Sequence, residues 1–177
     1  MGVKSCTIKD GDTRETHILN RKERDALLAC STGHTKAIIT VALHTGMRLR
    51  EILGLQWEDV DFRNQVITVK YTKSGKTRYV PMVETVREAL NKENGSPYVF
   101  IDTRTGKPFN HIRRSFDNAL KKAGIKDCCF HDLRHTAATL LTNGDPEAGV
   151  PATDVVTASE ILGHADIKTT RKCNTPH

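Results

Sequence analysis

Apolar positions recur at three- and four-residue intervals through most of the chain and at two-residue intervals in one stretch, a pattern that predicts helices around a single small sheet. Asn20 followed by Glu23 has the spacing of a helix N-cap with a reciprocal acid, and Leu27 and Leu28 give the following helix its apolar face. A second helix is expected through KAIITVALHT, ended by Gly46, and a short one over Arg48–Leu55 with Leu49, Ile52 and Leu53 on its buried side. The period then changes. VITVKYTKSGKTRYVPM carries two β-branched runs either side of Ser74 and Gly75, which predicts a hairpin with a basic tip. Helical spacing returns in VETVREALNK (Val83, Val86, Leu90), in FNHIRRSFDNALKKAG up to Gly124, and in FHDLRHTAATLL, with the short apolar segment YVFI between the first two. TNGDPEAGVPATD is rich in turn formers and reads as a loop; VVTASEILGH and IKTTRK supply the last helix or two. The expected class is α+β, mainly helical, with a small antiparallel sheet. Residues 1–18 read as a loose lead-in and 19–177 as one folded unit.

Composition narrows the partners. The chain has 177 residues, room for one domain with a core, and a formal net charge of +6. Its Lys and Arg gather in RKER, KSGKTR, HIRRS and KTTRK, the distribution of a surface that meets phosphates. No apolar run is long enough to span a membrane and the first residues form no signal peptide, so a cytoplasmic location is expected. Five cysteines without paired metal-ligand spacing read as reduced thiols.

The chemistry-bearing stretches are short. In HDLRH, His131, Arg134 and His135 share one helical face. A two-histidine metal site on His131 and His135, with a third ligand, would make a metallohydrolase, but Arg134 between them is a poor neighbour for a cation. HTGMRLREILGL places Arg48 just after a glycine break at a helix start, where a guanidinium and backbone amides can face one anion. KSGK puts Lys73 and Lys76 at the hairpin tip, and LGH sets His164 after a helix-ending glycine.

Taken in order, TGMRLREILGLQWEDVD, TKSGKTRYVPM, HDLRHTAATLL and ILGHADIKTT resemble the tyrosine recombinases, or phage integrases, and the resemblance runs from ILNRKERDALL to the end. It implies that family's catalytic domain, which cuts one DNA strand through a 3′-phosphotyrosine and rejoins it with no metal or other cofactor. On that resemblance Arg48 and Arg134 stabilise the charge of the transition state, and Lys73, with Lys76 as rival, protonates the leaving oxygen. His131 and His164 contact the phosphate and assist proton transfer, Glu51 orients the site and His135 supports the fold. Lys76, Arg78, Arg113, Arg114, Lys168 and Arg171 are expected to meet the DNA backbone. The implied partner is double-stranded DNA, in a bacterial or phage setting near the nucleoid.

The family nucleophile stands nine residues after the LGH histidine, and here that position is Cys173. A thiolate forms readily in a basic setting, but sulfur is soft, phosphorus is hard, and the side chain is shorter than tyrosine by roughly the depth of a phenol ring against a tolerance of about 3 to 3.5 Å. The chain is therefore expected to be cleavage-defective as it stands; the alternative is a DNA-binding module that uses the same basic cleft without chemistry. Two further departures from the family are expected to matter. The loop before LGH is longer than usual and would displace His164, and the chain lacks both the N-terminal core-binding domain and the C-terminal tail, which would weaken self-assembly on DNA.

Overall fold

The computed structural model describes residues 16–70, 77–90, 95–144 and 152–163. Its centre is helix α2 (Gly33–Thr45), on which Ile38, Ile39, Val41, Ala42 and Leu43 are all buried. A helix apolar on nearly every side needs neighbours on every side. They are α1 (Arg21–Ala29), α3 (Leu49–Leu53), α4 (Glu84–Leu90) and α6 (Phe130–Asn143). The buried hydroxyls of α2 are satisfied within the helix: Thr40 Oγ1 donates to the Lys36 carbonyl at 3.0 Å and Thr45 Oγ1 to that of Val41 at 2.5 Å. Gly46 ends the helix at φ 61°, a left-handed conformation that glycine adopts without strain.

The cap read at α1 is present in both directions, the Glu23 N–H donating to Asn20 Oδ1 at 3.1 Å and the Asn20 N–H to Glu23 Oε2 at 2.9 Å. The segment before it, expected to be loose as far as Ile18, is anchored from His17: His17 Nε2 lies 3.0 Å from Glu23 Oε1, and the Leu19 N–H donates to Thr136 Oγ1 on α6 at 3.0 Å.

Strands β2 (Val66–Val69) and β3 (Arg78–Pro81) form the expected hairpin, with Ile67 opposite Val80 and Val69 opposite Arg78. A third strand, β1 (Val60–Asp61), pairs with β2 and makes a three-stranded antiparallel meander in the order β1-β2-β3. A 3-10 turn at Trp57–Asp59 leads into it. The YVFI segment ends in β4 (Ile101–Asp102), which pairs with β5 (Lys107–Pro108). Helix α5 (Arg113–Ala123) buries Phe116, Ala119 and Leu120, packs on α1, and sets Phe116 edge-on to Phe130 at 5.2 Å.

Helix α7 (Val155–Leu162) lies against α6 and β3, and Asp154 caps it by accepting from the Val156 and Thr157 amides. The described flanks of the segment between α6 and α7 are held close together. The Thr153 N–H donates to the Leu141 carbonyl at 2.8 Å, and a Cβ on Gly144 would sit 2.9 Å from the Ala152 nitrogen. Among the described residues no helix is long and apolar enough to cross a membrane.

Candidate active site

Three arginines from three elements converge on the last turn of α7. Arg48, at the N-cap of α3, reaches the Gly163 carbonyl at a long 3.4 Å. Arg78, on β3, donates through Nε to the Ile161 carbonyl at 2.9 Å. Arg134, on α6, donates to the Leu162 carbonyl at 2.6 Å and to the Gly46 carbonyl at 2.5 Å. Carbonyls at a helix C-terminus have no intrahelical partner and carry negative partial charge, so cations are favoured there. Gly163 comes next with φ 68° and the described chain stops at it, one residue before His164.

Glu51, on α3, links two of the three. Its Oε1 accepts from Arg48 Nη1 at 3.0 Å and Arg78 Nη1 at 3.0 Å; its Oε2 accepts from the Arg48 N–H at 2.9 Å and Arg78 Nη2 at 2.7 Å. Burial raises the Glu51 pKa, but the hydrogen bonds from Arg78 and Arg48 and the Arg78 charge outweigh it and bring the carboxyl down to about 2. The Glu51 position thus carries a fixed negative charge inside a ring of positive ones.

On α6, His131 is exposed and lies edge-on to His135, ring centroids 4.9 Å apart. Crowding by surrounding protein, then the neighbouring His135 and Arg134, push the His131 pKa down to about 4, and Arg48 adds in the same direction, which brings it within electrostatic reach of the ring. His135 is lowered too, by burial first. Both rings are neutral at pH 7, and a bound phosphate would favour protonation of His131. Asp132 is buried and ties down the helix start by accepting from the Cys129 N–H at 2.7 Å.

The other expected residues divide. Arg48, capping α3, is bonded to Glu51 and lies within electrostatic reach of His131, which stands beside His135 and Arg134 on α6. Arg78, expected on the DNA-facing surface, is instead 8 % exposed and turned inward to Glu51 and α7. Strand parity is the reason, because Arg78 shares the inward face of β3 with Val80 while Tyr79 and Pro81 point out. That alternation was the sequence signal, and the basic run at the hairpin obscured it. Arg113 and Arg114 stand exposed on α5 around a shallow depression with His111 and Asn118, and Arg113 lies 3.7 Å from Asp117. Lys73 and Lys76 in the hairpin tip, and His164, Lys168, Arg171 and Cys173 at the end, lie outside the described residues. No group of three His, Cys, Asp or Glu among the described residues could hold a metal ion, so the metal reading finds no third ligand there.

Residues 17–175 match the Phage integrase family. The chain belongs to that family. Its tyrosine recombinase relatives include XerA of Saccharolobus solfataricus, 34% identical over 148 residues that make up 82% of this chain and 47% of the relative. XerC of Corynebacterium glutamicum is 32% identical over 76% of this chain and 44% of its own length. The chain spans about half the length of these curated relatives. Among solved structures, a XerA recombinase superposes with a TM-score of 0.77 at 30% identity, over 94% of this chain and 62% of that one. The catalytic domain of bacteriophage HP1 integrase gives 0.68 at 29% identity, over 90% and 87%. The integrase of transposon Tn1549, solved in complex with a circular intermediate DNA, shares the fold at 0.77 and 23% identity, over 95% and 64%. The architecture, mainly helical with a small antiparallel sheet, is that of a tyrosine recombinase catalytic domain.

Proposed function

We propose that this integrase-family domain binds double-stranded DNA and is built for strand cleavage and rejoining through a covalent phosphoprotein link at a DNA 3′ end, with residue 173 in the nucleophile's position. The observation that carries the reading is the convergence of Arg48 and Arg134 beside His131, at a helix end that leads directly to His164. Two guanidinium groups are suited to the charge that builds on a phosphate during in-line displacement, and a neutral histidine can exchange a proton with it. Lys73, in this reading, donates the proton to the leaving 5′-oxygen, with Lys76 as its rival. Residues 19–177 form the catalytic unit and the basic side chains Lys76, Arg113, Arg114, Lys168 and Arg171 grip the backbone on either side. Solved family members bound to DNA, such as the Tn1549 integrase, support DNA as partner. A nucleoid-associated location is part of the same reading.

Because Cys173 replaces the tyrosine, the domain grips DNA without completing strand transfer. The test is a nicked suicide substrate carrying the element's own ends, incubated with the parent and with Cys173→Tyr and resolved on a denaturing gel. A covalent adduct with Cys173→Tyr alone is the expected result. An adduct with the parent would make the thiol a competent nucleophile. No adduct with either would leave the DNA-binding module as the function.

A further inference from the structure

Glu51 is shared. Each of its oxygens accepts one hydrogen bond from Arg48 and one from Arg78, so the carboxylate is divided between a third-exposed arginine and a buried one. The two partners are not equivalent. Arg48 is 34 % exposed and holds Glu51 through one guanidinium nitrogen and its backbone N–H. Arg78 is 8 % exposed and grips both oxygens at once in the parallel fork that makes such pairs strong. Its stem is also fixed: Nε is bonded to Ile161, and a Cβ on Gly163 would fall 3.0 Å from Arg78 Cδ and 3.2 Å from Nε, so the side chain fills the space that glycine leaves.

Resting on the reading of Arg48 as a phosphate ligand, we infer that Arg78 is a positioning residue: it serves as the resident counterion of Glu51 and thereby leaves the charge of Arg48 available to DNA. Without Arg78, a carboxylate only 10 % exposed has Arg48 as its one remaining partner in the described cluster. A buried carboxylate in that position draws its single cation inward, because an uncompensated buried charge is costly. Arg48 would then be spent on Glu51 instead of on a phosphate. The inward parity of β3 and the space above Gly163 are the two structural provisions that keep Arg78 in place.

The interaction between Arg78 and Glu51 can be measured without any strand cleavage. The readout is affinity for a random-sequence DNA duplex, taken for the parent, Arg48→Gln, Arg78→Gln, Glu51→Gln and the Glu51→Gln/Arg78→Gln double variant, with thermal unfolding of each. Arg48→Gln is expected to bind about tenfold more weakly, the scale of one charged hydrogen bond. Arg78→Gln is expected to lose a similar factor in the Glu51 background and nothing in the Glu51→Gln background, where no carboxylate competes for Arg48. Equal losses in both backgrounds would make Arg78 a direct phosphate ligand and overturn the inference. Unchanged affinity for Arg78→Gln, with only a lower Tm, would reduce it to a packing role and overturn the inference equally. An Arg48→Gln variant that binds like the parent would instead remove the underlying reading of Arg48. Should Arg78→Gln fail to fold, Arg78→Lys takes its place. A point charge neutralises Glu51 less well than a fork, so a loss of about threefold is expected with Glu51 present and none with Glu51→Gln; the same loss in both backgrounds, or none in either, overturns the inference.

Discussion

Glu51 is expected to contribute to stability through its charge. Its folded pKa, about 2, lies below the ordinary 4.5, so the unfolded chain binds the proton more readily across that interval. The stabilisation is fully present above pH 4.5, fades as pH falls through the folded value, and amounts to on the order of 3 kcal/mol. Acid unfolding measured by circular dichroism should show this slope between pH 4.5 and 2, and Glu51→Gln should flatten it while lowering stability at pH 7. The residues around Glu51 were unequally legible. Arg48, Glu51, His131 and Arg134 stand out in the sequence because their short motifs resemble those of the tyrosine recombinases, and the fold links Arg48 to Glu51 and sets both Arg48 and Arg134 against the end of α7. Arg78 could not be read in the same way, since a cluster of cations beside Ser74 and Gly75 has the appearance of a solvated tip until β-strand parity is counted from Val80. The long-range partners of Arg134, the carbonyls of Gly46 and Leu162, arise from tertiary packing alone and leave no trace in local sequence.

Helices were more legible than strands. Asn20 with Glu23 and the glycines at 46 and 124 marked their helix ends correctly, because caps and left-handed glycines are local devices. Strands β1, β4 and β5 span two residues each and carry no period to detect. The junction of α2 with α7 gives the sharpest test at this scale. A Cβ on Gly46 would clash with Leu162 Cδ2, and φ there is 61°. Gly46→Ala should therefore destabilise by about 2 to 3 kcal/mol through backbone strain and overpacking together. Adding Leu162→Ala should recover part of that loss by removing the clashing methyls, although Leu162→Ala alone opens a cavity and is itself destabilising. Urea denaturation of the two single variants and the double would show this non-additivity; strictly additive losses would mean that the two residues do not meet.

Across the molecule the expectation is a DNA grip dominated by charge. With a formal net charge of +6, the affinity of this chain for duplex DNA should fall steeply with salt. Arg113→Gln and Arg114→Gln, on the exposed start of α5, should each reduce the slope of log K against log salt by about 0.9 if they neutralise a phosphate. Filter-binding titrations across a salt series would give the slope, and an unchanged slope would place α5 off the DNA. The loop between α6 and α7 bears on a different property. By its length in the sequence, that loop is expected to displace His164, which lies outside the described residues; the two described flanks of the loop are held close together, where Gly144 meets Ala152 and Thr153 bonds to Leu141. Flanks tied in this way hold α7 to α6 through contacts made outside the intervening segment. Each doubling of such a loop costs only about 0.6 kcal/mol in chain entropy. An epitope or a fluorescent reporter spliced between Gly144 and Ala152 is therefore expected to leave the three-arginine grip on the end of α7 standing.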